Sequence, residues 1–277
     1  MSITAADIAK LRKTTGAGMM DCKEALTATN GDFEAAIDYL RKKGQKISAK
    51  RADREATEGI VIAKTSSDNR LGIVIEINCE TDFVAKNEDF IAFGNMIAME
   101  ALDKKPATIE ELHSMPLGGV KVSDLLDEQM GKIGEKIQVS SYRLLEGKLV
   151  VPYVHLGNKI GVLVDLSESG DEKVLTTAKD IAMQIAAMNP IAVNKERIPQ
   201  SVIDRELDIA REQVKAEGKP AEIADKIATG KLHKFFKENT LLSQDFVKDG
   251  SKSVADVLNE VKKGLTINEF VRVSIGS

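Results

Sequence analysis

Apolar positions in the first 44 residues recur at helical spacing in three short runs. Thr4 is placed to cap the first, with Asp7 three positions on, and Ile8 and Leu11 form its stripe. Thr15-Gly16-Ala17-Gly18 breaks that run, and a second spans about Asp21 to Asn30-Gly31. The third starts at Asp32 and carries Phe33, Ala36, Ile37 and Leu40, with Gly44 as its expected stop. After Glu58-Gly59 the period changes to that of extended chain. Ile60-Val61-Ile62-Ala63, a turn at Ser67-Asp68-Asn69 and Leu71-Gly72-Ile73-Val74-Ile75-Glu76-Ile77 predict a β-hairpin.

The same pattern returns later in the chain. Glu146-Gly147 opens Leu149-Val150-Val151-Pro152-Tyr153-Val154, then Gly157-Asn158, then Ile160-Gly161-Val162-Leu163-Val164-Asp165-Leu166. Each hairpin is followed by a helix containing Ile-Ala-Met, at Ile97-Ala98-Met99 and Ile181-Ala182-Met183. A second matched helix follows in each, Val122–Glu128 against Val254–Glu260, and a last strand, Lys136–Val139 against Glu269–Val273. An internal duplication is therefore expected. The predicted fold class is α+β: a three-helix domain with a basic linker (1–54), then two β-β-α-α-β subdomains (55–145 and 146–277).

The two copies differ in two places. The second has a helical insertion from about Pro199 to Phe236. Ile203, Leu207, Ala210 and Val214 line one helix, Gly218-Lys219-Pro220 reads as a stop and restart, and Ala224, Ile227, Ala228, Leu232 and Phe235 line the return. The first copy has 25 positions from Gly72 to Ile97, against 20 from Gly161 to Ile181 in the second. The extra residues fall in the segment Asn78 to Phe90, where the second copy has only the turn Ser167-Glu168-Ser169-Gly170.

Composition narrows the possibilities. The chain has 277 residues, enough for a substantial core, and a net charge of -4, which gives no global attraction to nucleic acid. There is no tryptophan and aromatics make up 4%, so the core must be mainly aliphatic. No apolar run approaches the ~18 residues of a membrane span. The two cysteines, Cys22 and Cys79, form neither a disulfide framework nor a metal pair. With no signal or transit pattern at Met1-Ser2-Ile3-Thr4, a cytoplasmic protein is expected. Residues 41–54 are basic, with Arg41, Lys42, Lys43, Lys46, Lys50, Arg51 and Arg54. No aromatics interleave these charges to stack on bases, so a linker helix is expected rather than a nucleic-acid patch.

The insertion Asn78-Cys79-Glu80-Thr81-Asp82-Phe83-Val84-Ala85-Lys86 is the segment to test for chemistry. A Cys79 nucleophile would need a base, and the three histidines, His113, His155 and His233, sit at unrelated points of the pattern. No phosphate-cradling loop, metal spacing or nucleophile elbow occurs, so no enzyme activity and no cofactor are expected. Phe83 and Val84 are apolar in a polar segment that the fold does not require. Either Phe83 tucks into its own core, or it stands out as an interface anchor with Asp82 beside it.

Two segments carry a family resemblance. Leu11-Arg12 with Thr15-Gly16-Ala17-Gly18-Met19-Met20-Asp21-Cys22-Lys23, and Glu76-Ile77-Asn78-Cys79-Glu80-Thr81-Asp82-Phe83-Val84-Ala85-Lys86, resemble the two signatures of the translation elongation factor Ts family. The resemblance covers essentially the whole chain. It implies a ubiquitin-associated-like N-terminal domain, two related subdomains and a protruding helical hairpin. It further implies a nucleotide-exchange factor that binds elongation factor Tu, a GTPase, and binds no nucleotide itself. In such a factor Thr81, Asp82, Phe83 and Val84 would intrude beside the partner's Mg²⁺ and nucleotide site. Arg12, Met19, Met20 and Lys23 would form a second contact, unless one methionine packs inside the bundle. His155 would form a third, although Leu156 departs from the family's His-Gly at that point. The hairpin would supply further partner or dimer contacts, with a homodimer or a two-to-two complex as the possible assemblies. Some members continue into a C-terminal helical module; this chain ends at Gly276-Ser277, and no contribution of that kind is expected.

Overall fold

The computed structural model describes residues 3–217 and 221–276. Among these residues, three helices come first: α1 (Ala5–Thr15), α2 (Met19–Ala28) and α3 (Phe33–Arg51). Thr4 and Asp7 close a capping box on α1, and Gly16 ends it at φ 69°. Leu11, Cys22, Ala25, Leu26 and Ala36 make the small core of this bundle.

The first sheet begins with β1 (Glu58–Thr65) and β2 (Leu71–Cys79). A one-turn helix α4 (Asp82–Ala85), then α5 (Glu88–Lys104) and α6 (Ile109–Ser114), follow. A miniature hairpin, β3 (Pro116–Leu117) and β4 (Val120–Lys121), leads into α7 (Val122–Ile133) and β5 (Gln138–Glu146). The second sheet begins with β6 (Leu149–Val154) and β7 (Ile160–Leu166), followed by α8 (Glu172–Met188). Then come the long pair α9 (Gln200–Ala216) and α10 (Ala221–Asn239), and the small hairpin β8 (Asp245–Phe246) and β9 (Asp249–Ser253). The chain closes with α11 (Val254–Val261) and β10 (Ile267–Ser274). The strand orders are β1-β2-β5 and β6-β7-β10, all antiparallel, so the second strand of each hairpin is central.

The central strands read as unbroken apolar runs because both of their faces are covered. All nine residues of β2 are buried. On one face Ile73, Ile75 and Ile77 join Ile60, Ile62, Phe90, Phe93 and Ile97 against α5. On the other, Val61, Val74 and Leu145 meet Val150, Leu163 and Val273 of the second sheet. Two glycines permit that contact. A Cβ on Gly72 would lie 2.6 Å from Val150 Cγ1, and one on Gly161 would lie 2.5 Å from Val61 Cγ1.

Gly44 does not stop the third helix, contrary to the sequence expectation; α3 runs through it to Arg51. A Cβ at Gly44 would sit 2.8 Å from the backbone oxygen of Asp127, and one at Gly131 would sit 3.0 Å from Gly44 Cα. The glycines mark a close crossing of α3 and α7, where any side chain would hold the helices apart. In the long pair, Ala210, Val214 and Ala228 are buried and Arg211 reaches Asp225 at 3.0 Å. The expected restart at Gly218-Lys219-Pro220 lies outside the described residues, as does the side chain of Ala224.

Candidate partner-binding site

The insertion singled out in the sequence is smaller than its expected span of Asn78 to Phe90. Asn78 and Cys79 still belong to β2, and Phe90 is a buried residue of α5. Asn87 caps α5 by accepting from the backbone N–H of Asp89 and Phe90. What leaves the sheet-and-helix frame is therefore 80–87, folded around the single turn α4.

That turn is built from both ends. Thr81 caps it, its Oγ1 accepting from Val84 N at 3.4 Å while donating to Glu135 Oε1 at 2.7 Å. The other oxygen of Glu135 accepts from Glu80 N at 3.2 Å and Thr81 N at 3.0 Å. The Glu80 carboxylate in turn accepts from Arg51 and from Lys136 N, each at 2.6 Å. It is held below the usual carboxylate range, chiefly by the Lys136 amide. On the far side, Val84 packs on the first core and Ala85 is buried. Between these anchors Phe83 stands 82% exposed. Of the two fates open to Phe83, the structure shows the outward one.

Asp82 is beside it, paired to Lys86 at 2.7 Å. The Lys86 hydrogen bond is the main cause that lowers its pKa, so the side chain is an anion at neutral pH. Cys79, by contrast, is fully buried and donates to Thr81 O at 3.2 Å. Burial, with Glu135 and Glu58 nearby, pushes its thiol up to about 12. A thiol so placed supplies no thiolate for chemistry near neutral pH.

His155 opens a tight turn in which Gly157 has φ 78° and Asn158 φ 56°. Its Nδ1 lies 3.1 Å from the Tyr153 hydroxyl. Lys159, closing that turn, pairs with Glu58, which is opposite Cys79 in the β1–β2 register. The His155 turn and the Thr81–Val84 turn are thus brought to one end of the packed sheets.

Arg12, Met19, Met20 and Lys23 lie on α1 and α2, and all four are exposed. Met19 is 61% and Met20 75% exposed, so neither packs inside the bundle. Arg51, at the end of α3, ties this helical unit to Glu80. Glu135 is not marked in the sequence at all, and the pairing of Glu80 with Arg51 and Lys136 is not either, because these contacts join positions 29 to 56 residues apart.

Similarity to known proteins agrees with the resemblance in the sequence. A family model described as Elongation factor TS matches residues 80–277. The chain is 51% identical to an Elongation factor Ts of Christiangramia forsetii over 274 residues, covering 99% of both chains. It is 50% identical to one of Amoebophilus asiaticus, covering 100% of both, and 49% identical to one of Cytophaga hutchinsonii, covering 99% of both.

Proposed function

This chain belongs to the elongation factor Ts family, non-enzymatic nucleotide-exchange factors for elongation factor Tu, and we propose that it opens the partner's nucleotide site with the Asp82–Phe83 turn. The observation that carries this reading is the 82% exposure of Phe83 on a turn anchored at both ends. A large ring held in water on a fixed turn is an anchor in search of a pocket. Asp82 supplies a directed negative charge next to it.

The physics is linkage. A bound factor shifts the partner only by its differential affinity for two states. The turn fits a G domain whose Mg²⁺ and phosphate contacts are loosened, so it weakens GDP, and GDP weakens it by the same factor. The ion is an economical target because it bridges protein and phosphates with few protein ligands. In this reading Thr81 and Val84 hold the turn. Arg12, Met19, Met20 and Lys23 form a soft docking face, and His155 is a third contact beside the turn.

The finer architecture is read with it. Residues 1–54 form a ubiquitin-associated-like unit with its linker, and 55–145 and 146–277 are copies of one subdomain. Support comes from the shared position of the central strands and of Gly72 and Gly161 in the two sheets. A nucleic-acid role for residues 41–54 is disfavoured, since Arg41, Lys43 and Arg51 are paired to Glu128, Asp21 with Glu24, and Glu80.

Release of a fluorescent GDP from the cognate elongation factor Tu tests the reading. Catalytic amounts of this protein should accelerate release, and Phe83→Ala should slow it by roughly 10-fold or more, the scale of an interface anchor. The variant should keep its melting temperature. An unchanged release rate with the native protein refutes the exchange reading, and a collapsed melt in the variant refutes the exposed wedge.

A further inference from the structure

We infer that Glu135 is a positioning residue for the exchange turn, holding Thr81 and hence Phe83 in the geometry that meets the partner. The inference rests on the exchange reading above and adds to it a residue from a distant part of the chain. Glu135 follows Gly134, the left-handed cap of α7, and precedes β5. Among the described residues its side chain is hydrogen-bonded by Glu80 and Thr81, and of these Thr81 is one read as meeting the partner.

Its two carboxylate oxygens take three donors from the two residues that connect β2 to α4. These are Glu80 N at 3.2 Å, Thr81 N at 3.0 Å and Thr81 Oγ1 at 2.7 Å. Such a carboxylate does for this connection what a cap does for a helix end, and it does so from outside the segment. The first two residues are fixed by Glu135 and the last two, Val84 and Ala85, by the core. Phe83 lies between the two anchors with its ring in solvent. Without Glu135 the turn keeps its core side and loses its other end. The ring then samples many directions, and ordering it again must be met from binding energy.

A positioning role separates from a merely structural one in how the kinetics divide. Docking through α1 and α2 does not involve Glu135. Glu135→Ala should therefore lower the maximal rate at which this protein drives GDP release from the partner about 10-fold, the scale of one charge-assisted hydrogen bond. The concentration giving half-maximal acceleration should move less than about 2-fold. Glu135→Gln, which can keep an oxygen on the two amides but loses the charge and the acceptor for the Thr81 hydroxyl, should fall between Glu135→Ala and the native protein. Thr81→Val removes the hydroxyl's bond to Glu135 together with its cap on Val84 N, keeps both amide bonds to Glu135, and should show a smaller loss of the same kind.

The double variant Phe83→Ala with Glu135→Ala should lose clearly less than the two single losses combined, because a positioned ring that is absent cannot be mispositioned and only Asp82 is left to misplace. Additive losses in the double variant would overturn the inference, as would a full rate in both Glu135→Ala and Thr81→Val. Should Glu135→Ala fail to fold, Thr81→Val with and without Phe83→Ala gives the same comparison. If the native protein itself fails to accelerate release, the exchange reading fails first. Native acceleration with an indifferent Glu135 fails this inference alone.

Discussion

At the scale of single residues, Phe83 and Cys79 show how neighbours in sequence divide into exposed and inert. They are four positions apart, yet Phe83 has the most exposed large apolar side chain among the described residues and Cys79 is fully buried. The path from β2 into α4 turns Cys79 under the sheet end and Phe83 outward. For Cys79 this has a measurable consequence. With Ellman's reagent at about pH 8, the native protein should release no rapid thiol signal, and the denatured chain should release two. Cys22 is also buried, and its thiol is raised mainly by that burial. One fast thiol that persists in a Cys22→Ala variant of the native protein would contradict the burial of Cys79. The sign with pH follows from the same shift. The folded Cys79 keeps its proton to about 12, against an ordinary value of 9.0. Its contribution to stability is therefore whole below that ordinary value and is lost as pH rises through the window between the two. The sequence marked Phe83 as a candidate anchor, because the matching segment 167–170 needs only a turn, but it left open whether the ring points outward or into the core. The support of Glu135 was not legible, because nothing local marks a contact between positions 81 and 135.

At the scale of elements, glycine had opposite meanings that the sequence alone did not separate. Gly16 ends α1 and Gly134 ends α7 with left-handed backbone, as helix-stop glycines do. Gly44 has the same neighbours in kind, basic residues after an apolar run, yet lies inside a helix. Only the crossing with α7 explains it, and a crossing is not visible in one helix's pattern. The miniature strands β3, β4, β8 and β9 were also missed, because two to five residues carry too little periodicity to read. The two kinds of helical glycine give a prediction of opposite sign. Gly230, within α10, has open space around an added Cβ, so Gly230→Ala should stabilise by roughly 0.5–1 kcal/mol through helix propensity alone. Gly44→Ala gains the same propensity but meets backbone at 2.8 Å. Backbone cannot rotate away, and overpacking of that kind costs about 1–3 kcal/mol, so the net change is a loss. Thermal melts of the two variants decide it. If Gly44→Ala also raises the midpoint, the close α3–α7 approach is wrong.

At the scale of the whole molecule, the candidate site is assembled from two sheets, and its geometry depends on how they pack. The Thr81–Val84 turn hangs from β2, and the His155 turn joins β6 to β7. What sets one against the other is the shared apolar layer of Val61, Val74, Leu145, Val150, Leu163 and Val273, with the Lys159–Glu58 pair at its rim. In sequence that layer was legible only as apolar runs; which run faces which could not be read from spacing. Gly161 and Gly72 now separate two parts of the layer. Gly161 is two residues from Lys159, on the side of the His155 turn, and its added Cβ would strike Val61 Cγ1 at 2.5 Å and Val74 Cγ2 at 3.0 Å. Gly72 lies opposite Thr65, at the other end of the β1–β2 hairpin from Glu58 and Cys79, and would strike Val150 Cγ1 at 2.6 Å. Valine is stiff at its branched carbon, so neither clash is relieved by a rotamer change, and the sheets must part locally. Both Gly161→Ala and Gly72→Ala should therefore cost about 1–3 kcal/mol in denaturant unfolding. Their effects on exchange should differ. Parting the sheets near the His155 turn moves it away from Phe83 and should slow GDP release, whereas parting them at the far end should leave the rate close to native. The comparison is internally controlled, since the two variants share their chemistry and their expected stability loss. Equal exchange rates at equal stability would mean that the two turns act independently, and that His155 is no part of the surface that Phe83 presents.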